Sequence, residues 1–334
     1  MAARSIWFEQ RSRAVALRAA CIAAAAATFA NGAIAQPYPT KPVRLVVPYA
    51  PGGAVDIIAR ATGQELTKRL GQQIIVDNRT GAGGNIGSDT VAKSPPDGYT
   101  LLMASPANTI NSSLYTKMPY DPLRDLVPIA LIGSVPSVMV ANPSLPVKDI
   151  KQLIALAKAK PGALTYGSGG SGTTEHLAGE MFKSFAGIDL LHVPYKGGAQ
   201  VMIDLMGGQV ALMFSNQLGV LPHIKGGKLK ALGVASAGRS AALPDVPTFA
   251  EAGFPDFKVS VWWGVMGPAG MPKEIVIQLN REIVAGLSSP EMKGRLQTMS
   301  AQPIGGTPEQ FAAFFAAETK RWAPIVKASG AKAD

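Results

Sequence analysis

The chain has 334 residues, 47% of them hydrophobic and 16% charged, which is enough apolar material for a core spread over about two domains. Its net charge of +10 is not gathered into a Lys/Arg-rich block or a basic stripe interleaved with aromatics, so nucleic-acid binding is a poor reading. A single cysteine excludes a disulfide within the chain.

In chain order, residues 1–35 read as a secretory signal peptide. Arg4, Arg11 and Arg13 precede an apolar run over 14–30 broken only by Arg18, and Ala33-Ile34-Ala35 is a small-x-small cleavage signal. The competing readings are a membrane anchor over 19–35 and lipid attachment at Cys21, the latter opposed by the charge of Arg18. Cleavage after Ala35 removes four arginines, Glu9 and Cys21 and takes the net charge from +10 to +7. No later run reaches 18 uncharged apolar residues. The expected product is periplasmic, free of cysteine and not membrane-embedded.

Residues 43–48 form a short apolar run bounded by prolines, hence a buried strand. Ile57, Ile58, Ala61, Leu66 and Leu70 recur at helical spacing and Gly71 follows, which predicts a helix over 54–70. Strands are predicted at 74–76, 100–103, 127–131 and 138–140, with a short helix over 87–93. A helix over 147–160 stops at Pro161-Gly162. Then strands at 163–166, 190–193, 210–214 and 231–234 alternate with helices over 173–186, 199–206 and 218–225. A strand at 259–265 carries Trp262 and Trp263, for which core or hinge packing is the plain reading. Helices over 273–287, 290–299 and 308–329 complete the chain. This alternation predicts α/β units with largely parallel sheets. The second half echoes the first, so the expected organisation is two lobes, 36–138 with 258–334, and 139–257. The crossings are expected near 136–141 and 257–265.

Open α/β sheets bind ligands just beyond their strand ends. Four loops lie there. The turn Tyr49 to Asp56 contains Pro51, Gly52 and Gly53 at a helix start, where backbone N–H groups and the helix dipole suit an anion. Asp56 is also an ordinary capping carboxylate, and the turn is equally a capped helix start. Ser105 and Asn108 offer hydroxyl and amide groups in the next loop, which is otherwise an ordinary polar loop. Gly167 to Thr174 fits G-x-G-x-x-G between a strand and a helix. The acidic residue a dinucleotide site needs at the end of the next strand is missing, because Asp189 precedes that strand. The same donors at Gly169, Gly172 and the hydroxyls Ser171, Thr173 and Thr174 serve a carboxylate equally well. His176 is placed to aim a ring N–H at that site, or is simply packed. The fourth loop supplies Tyr195 as a wall, with Ser215 and Asn216 one unit later; Lys196 reads as a solvated lysine. Gly81 to Gly87 lacks the third glycine of a dinucleotide loop and reads as a turn.

Catalytic patterns are thin. His176, His192 and His223 show no metal-ligand spacing, and there is no G-x-S-x-G elbow or P-loop lysine motif. No catalytic residue, metal or cofactor is expected. A hydrolase using Ser171 or Ser105 with His176 is the enzymatic alternative, and a ligand-sensing accessory of a signalling partner is another.

At these residues the chain resembles the Bug family, the extracytoplasmic receptors of tripartite tricarboxylate transporters. The matching blocks include YPTKPVRLVVPYAPGGAVDIIAR, DNRTGAGGNIGSDTVAKSPPDGYTLLM, LTYGSGGSGTTEHLAGEMF, HVPYKGGAQVMIDLMGGQV, LPDVPTFAEAG and WWGVMGPAGMPKEIV. They span essentially the whole chain after the signal. The resemblance implies a type II periplasmic-binding-protein-like fold, two α/β lobes joined by a two-strand hinge with the ligand in the cleft. It also implies a monomer, a small di- or tricarboxylate or aromatic acid as ligand, and transporter subunits as partner. In the family the acid is held by backbone amides and ordered water; the matching positions are the turn at 51–53 and, from the opposing lobe, the loop at 169–174. One departure is Ser215, where many relatives carry an aspartate. If that position faces the cleft, a ligand more anionic or less amine-bearing than an amino acid is expected.

Overall fold

The computed structural model describes residues 38–195 and 197–333. The expected signal segment and Lys196 lie outside them.

The buried strand β1 (Val43–Val47) pairs in parallel with β2 (Ile74–Asn78) on one side and β3 (Thr100–Ala104) on the other. Both faces of β3 are buried, as expected for a parallel strand covered by helices. The intervening α1 (Ala54–Leu70) ends at Gly71, whose φ of 69° lets its N–H bond Thr67 O and close the helix. Next along the sheet lie β9 (Ser260–Pro268), antiparallel to β3, and β4 (Leu126–Ala141), antiparallel to β9.

β4 is the pivot of the architecture. Its part over 126–136 pairs with β9, and β10 (Gln302–Gly305) pairs along 131–134. From Ser137 onward it pairs instead with β7 (Leu212–Asn216) and β8 (Lys230–Val234). β7 in turn continues in parallel to β5 (Thr165–Ser168) and β6 (Leu191–Pro194). The result is one curled mixed sheet, order β2-β1-β3-β9-β4-β7-β5-β6, whose two halves repeat the same α/β scheme about a shared strand. Two separate strands were expected here. Pro128 and Pro136 punctuate the sequence, but the ladder absorbs them, with register shifts at 128–130 and 131–133 and the change of partners after Pro136.

The helices are α2 (Asn85–Ala92), α3 (Ala107–Leu114), α4 (Ile150–Ala159), α5 (Thr174–Ala186), α6 (Gly198–Met206), α7 (Gln217–Lys225), α8 (Lys273–Gly286), α9 (Pro290–Thr298) and α10 (Pro308–Ser329). In the first half Val46, Leu102, Trp262, Phe311 and Phe315 form one buried cluster. In the second, Phe182, Phe214, Phe249 and Phe257 form an aromatic core, with ring centroids 4.2–6.0 Å apart. Gly179 of α5 sits where a Cβ would lie 2.6 Å from Tyr166 Cζ, so only glycine lets this helix approach β5 so closely.

The final helix touches both halves. Phe311 and Phe315 of α10 pack in the first, and Trp322 and Val326 join the aromatic core of the second, as do Ile110 and Leu114 of α3. At 22 residues, α10 is about 33 Å long, enough to lie across both halves.

Candidate functional site

Two adjoining cavities, each of about 340 Å³, lie beside the start of α5, and the first opens between the halves. The first is walled by Tyr49, Val55, Ser105, Ala107, Leu114 and Tyr115 from the first half and by Ser171, Gly172, Thr173 and Thr174 from the second. The second is walled by Ser137, Gly169, Thr173, Thr174, Glu175, Gly197, Gly198 and Asn216. Thr173, Thr174 and Val261 line both, so the two spaces meet at the start of α5.

The chain reaches this place by the geometry of α/β units. α3 and α5 both begin at the C-terminal ends of their strands, and their first residues, Ala107 and Thr174, line the cavities. The positive ends of two helix dipoles, one from each half, therefore face the same space. Thr173 caps α5 by accepting a hydrogen bond from His176 N, and its hydroxyl donates to Gly170 O at 2.8 Å. Half-buried Tyr49 shares a 2.9 Å hydrogen bond with Ser105 Oγ, and burial pushes the Tyr49 phenol up to about 12, so it stays a neutral donor at any ordinary pH.

Several expected ligand contacts are instead braces. Asp56 is buried and accepts from Gly52 N (2.9 Å), Arg60 Nε (2.9 Å) and Asn78 Nδ2 (2.9 Å). Burial alone would raise its pKa; the Arg60, Gly52 and Asn78 hydrogen bonds outweigh that and hold it below the usual carboxylate value. The Gly52 amide is thus committed to Asp56, and Pro51, Gly52 and Gly53 are exposed and line neither cavity. That loop contributes Tyr49 and Val55. Asn108 is buried, holding Ser105 N at 2.9 Å and reaching Ser88 and Tyr120 with its Nδ2. Tyr195 donates to Asp204 at 2.8 Å and lines neither cavity. Ser215 is buried on β7 opposite Val138 and lines neither cavity. Asn216 does line the second cavity, while its Oδ1 caps α7 through Gly219 N.

His176 was expected to aim a ring N–H at the ligand. Its Nδ1 instead accepts from Gly172 N at 3.0 Å, and its ring stacks on His192 at 3.9 Å. Burial lowers its pKa, so the neutral ring carries its proton on Nε2, a tautomer inferred from the Gly172 bond. His192 stacks against both His176 and Tyr166, with Nε2 2.7 Å from Ser168 Oγ. Burial, then the neighbouring His176, lowers its pKa to about 4. This stack underlies the glycine loop and fixes its path. The enzymatic alternative pairs Ser105 or Ser171 with His176; Ser105 is bonded to Tyr49, and the His176 Nδ1 to a backbone amide.

The residue missed from the sequence is Glu175. It reads there as an ordinary acidic first-turn residue. In the fold its side chain turns back along the loop, with Oε2 accepting from Gly169 N at 2.6 Å. Its position directly after the hydroxyl-rich run at 171–174 was the available signal. Val261 was also missed; it alternates with buried Trp262 along β9 and so faces the cleft side.

No cluster of three or more potential metal ligands occurs among the described residues, and no described helix is long and apolar enough to cross a membrane. Residues 58–331 match the model of the tripartite tricarboxylate transporter family receptor. Protein BugT of Bordetella pertussis is 41% identical over 310 residues, 92% of this chain and 95% of BugT. An R. palustris protein solved with adipate superimposes with a TM-score of 0.76 at 38% identity, covering 88% of this chain and 98% of that one. MatC from Rhodopseudomonas palustris, solved with bound malate, gives 0.73 at 31% identity, covering 86% and 100%. With helix starts from two α/β halves converging on adjoining cavities, and with these matches along nearly its whole length, the chain belongs to the tripartite tricarboxylate transporter receptor family, the Bug-type periplasmic solute-binding proteins.

Proposed function

We propose that this protein captures a small carboxylate in the cleft between two lobes, 36–138 with 258–334 and 139–257, and delivers it in the periplasm to the membrane subunits of a tripartite tricarboxylate transporter. The observation that carries this reading is the convergence of two helix N-termini and a ring of hydroxyls on adjoining cavities. Helix N-termini and hydroxyl donors favour an anion and supply no nucleophile paired with a base. Adipate and malate in two relatives support the ligand class. β4 and β9 carry the chain between the halves, and the change of β4 partners after Pro136 makes that point the natural hinge. Closure over the acid would exclude water and strengthen each donor–carboxylate bond.

The test is a thermal-shift screen of the processed protein against small mono-, di- and tricarboxylates, with adipate and malate included. A ligand at about 100 times its Kd contributes about 2.7 kcal/mol, or about 4 °C in a protein of this size. A binding constant in the micromolar range, about −8 kcal/mol, is expected for the best acid. If no acid moves the melting point while the protein is folded, the assignment fails.

A further inference from the structure

We infer that Glu175 sets the ligand class of the cleft: its carboxylate makes the second cavity a subsite for a hydrogen-bond-donating group, an ammonium above all, on a ligand whose own carboxylate sits toward the first cavity. This rests on the carboxylate-binding role proposed for the same cleft.

The two cavities are chemically unequal. The first has the neutral hydroxyls of Tyr49 and Ser105 and the start of α3. The second has a carboxylate in its wall. Glu175 Oε2 is used by Gly169 N; Oε1 accepts from no described residue and lies 3.7 Å from where a Cβ on Gly198 would sit. The glycines at 169 and 198 keep the space beside this carboxylate open to a ligand; a side chain on Gly169 would come 3.0 Å from Oε2. Among the described residues no lysine or arginine forms an ion pair with Glu175, which stands in the first turn of α5; its one hydrogen-bond donor among them is the Gly169 amide. Burial raises its pKa, and the Gly169 hydrogen bond opposes that shift. A second ligand carboxylate placed there would meet a like charge in a partly desolvated site, whereas an ammonium would complete the unused oxygen. Ser215 is buried and lines neither cavity, whereas Glu175 places a carboxylate in the wall of the second.

The alternative is a bracing role, in which Glu175 only holds the Gly169 loop. Two variants separate the roles. Glu175→Gln keeps an oxygen acceptor for Gly169 N and removes the charge. Glu175→Asp keeps the charge and shortens the reach to Gly169. Isothermal titration calorimetry would be run on wild type and both variants with matched pairs, glutarate with 4-aminobutyrate and adipate with 6-aminohexanoate. Expected is a preference of about tenfold or more for the amino acid of at least one pair in wild type, kept in Glu175→Asp and lost or reversed in Glu175→Gln. A diacid preference in wild type, or a preference that survives Glu175→Gln and disappears in Glu175→Asp, overturns the inference while leaving carboxylate capture intact. Absence of binding to every acid in all three folded proteins overturns both.

Discussion

Replacing Gly172 with alanine drives a methyl group into a contact made by elements from different halves. Gly172 has φ +80°, and a Cβ there would lie 2.8 Å from Leu114 Cδ1 and closer still to Cδ2. Leu114 is 6% exposed, so its side chain has little room to turn away. The left-handed backbone costs an alanine about 1–2 kcal/mol. Overpacking of a buried contact adds about 1–3 kcal/mol, giving about 2–5 kcal/mol in all. Equilibrium urea unfolding of Gly172→Ala, Leu114→Ala and the double variant separates the two contributions. Leu114→Ala alone costs about 2–5 kcal/mol as a truncation. In the double variant the new methyl faces the space Leu114 has vacated, so the clash disappears and the backbone strain stays. The double variant is therefore expected to be more stable than the sum of the singles by about 1–3 kcal/mol. Additivity within about 0.5 kcal/mol would show that the two side chains do not meet, and the close approach of α3 to the glycine loop would be refuted.

Three further outcomes follow from the site. His192 has a folded pKa of about 4 against an unfolded value near 6.5, so the stability its neutral form contributes is complete above about pH 6.5 and is lost as pH falls toward 4. The shift bounds this at about 3 kcal/mol, reduced to about 2 by solvent screening of a half-buried ring; urea unfolding at pH 7 and 4.5 should show a smaller acid loss in His192→Gln than in wild type. Asp56→Asn leaves Arg60 and the Gly52 amide without their carboxylate, and a loss of about 1–3 kcal/mol in chemical unfolding at pH 7 is expected. Because the Asp56 pKa is depressed, that difference should shrink as pH falls through its folded pKa. Tyr49→Phe removes one hydroxyl from the first cavity and leaves the ring in place. Calorimetry should give a weakening of about five- to tenfold for the best acid, while loss of the Tyr49–Ser105 bond lowers the unfolding free energy by only about 1 kcal/mol.

The elements legible in the sequence were those whose own pattern agrees with their place in the fold. α1 carries its apolar spacing and its glycine stop, and β1 its unbroken apolar run. α3 was not legible. Asn108, Thr109, Asn111 and Ser112 favour turns over helix interiors. Tertiary bonds override that preference: Asn111 Nδ2 reaches Gly83 O at 3.0 Å and Asn85 Oδ1 at 2.9 Å, and Asn108 ties Ser105 to Ser88. β10 was equally hidden, since Gln302-Pro303-Ile304-Gly305 carries a proline and a glycine that weaken a strand pattern and pairs only beside β4. For the site, the loop at 169–174 and the pair Tyr49 and Ser105 were legible as hydrogen-bonding groups beyond strand ends. What the sequence could not carry was the direction of each side chain. Asp56, His176 and Glu175 are alike in standing in a first helical turn, and only the fold separates the two that brace from the one that also faces the cavity.

That shared placement changes how the cleft can recognise an acid. From the sequence, the glycine loops present bare amides. In the fold, four loop amides are each bonded by a side chain from the first turn of the following helix: Gly52 by Asp56, Ser105 by Asn108, Gly169 by Glu175 and Gly172 by His176. These bonds hold the loops in position before any ligand arrives, which lowers the ordering cost of binding. They also mean that an acid cannot use those amides without displacing an internal acceptor. Recognition therefore shifts to hydroxyls, to the dipoles of α3 and α5, and to whichever brace has capacity left. Asp56 has three donors and Asn108 has three partners, so neither has capacity to offer. His176 is neutral and stacked. Glu175, held through one oxygen by one amide, is the brace that can bond a ligand and keep its loop in place.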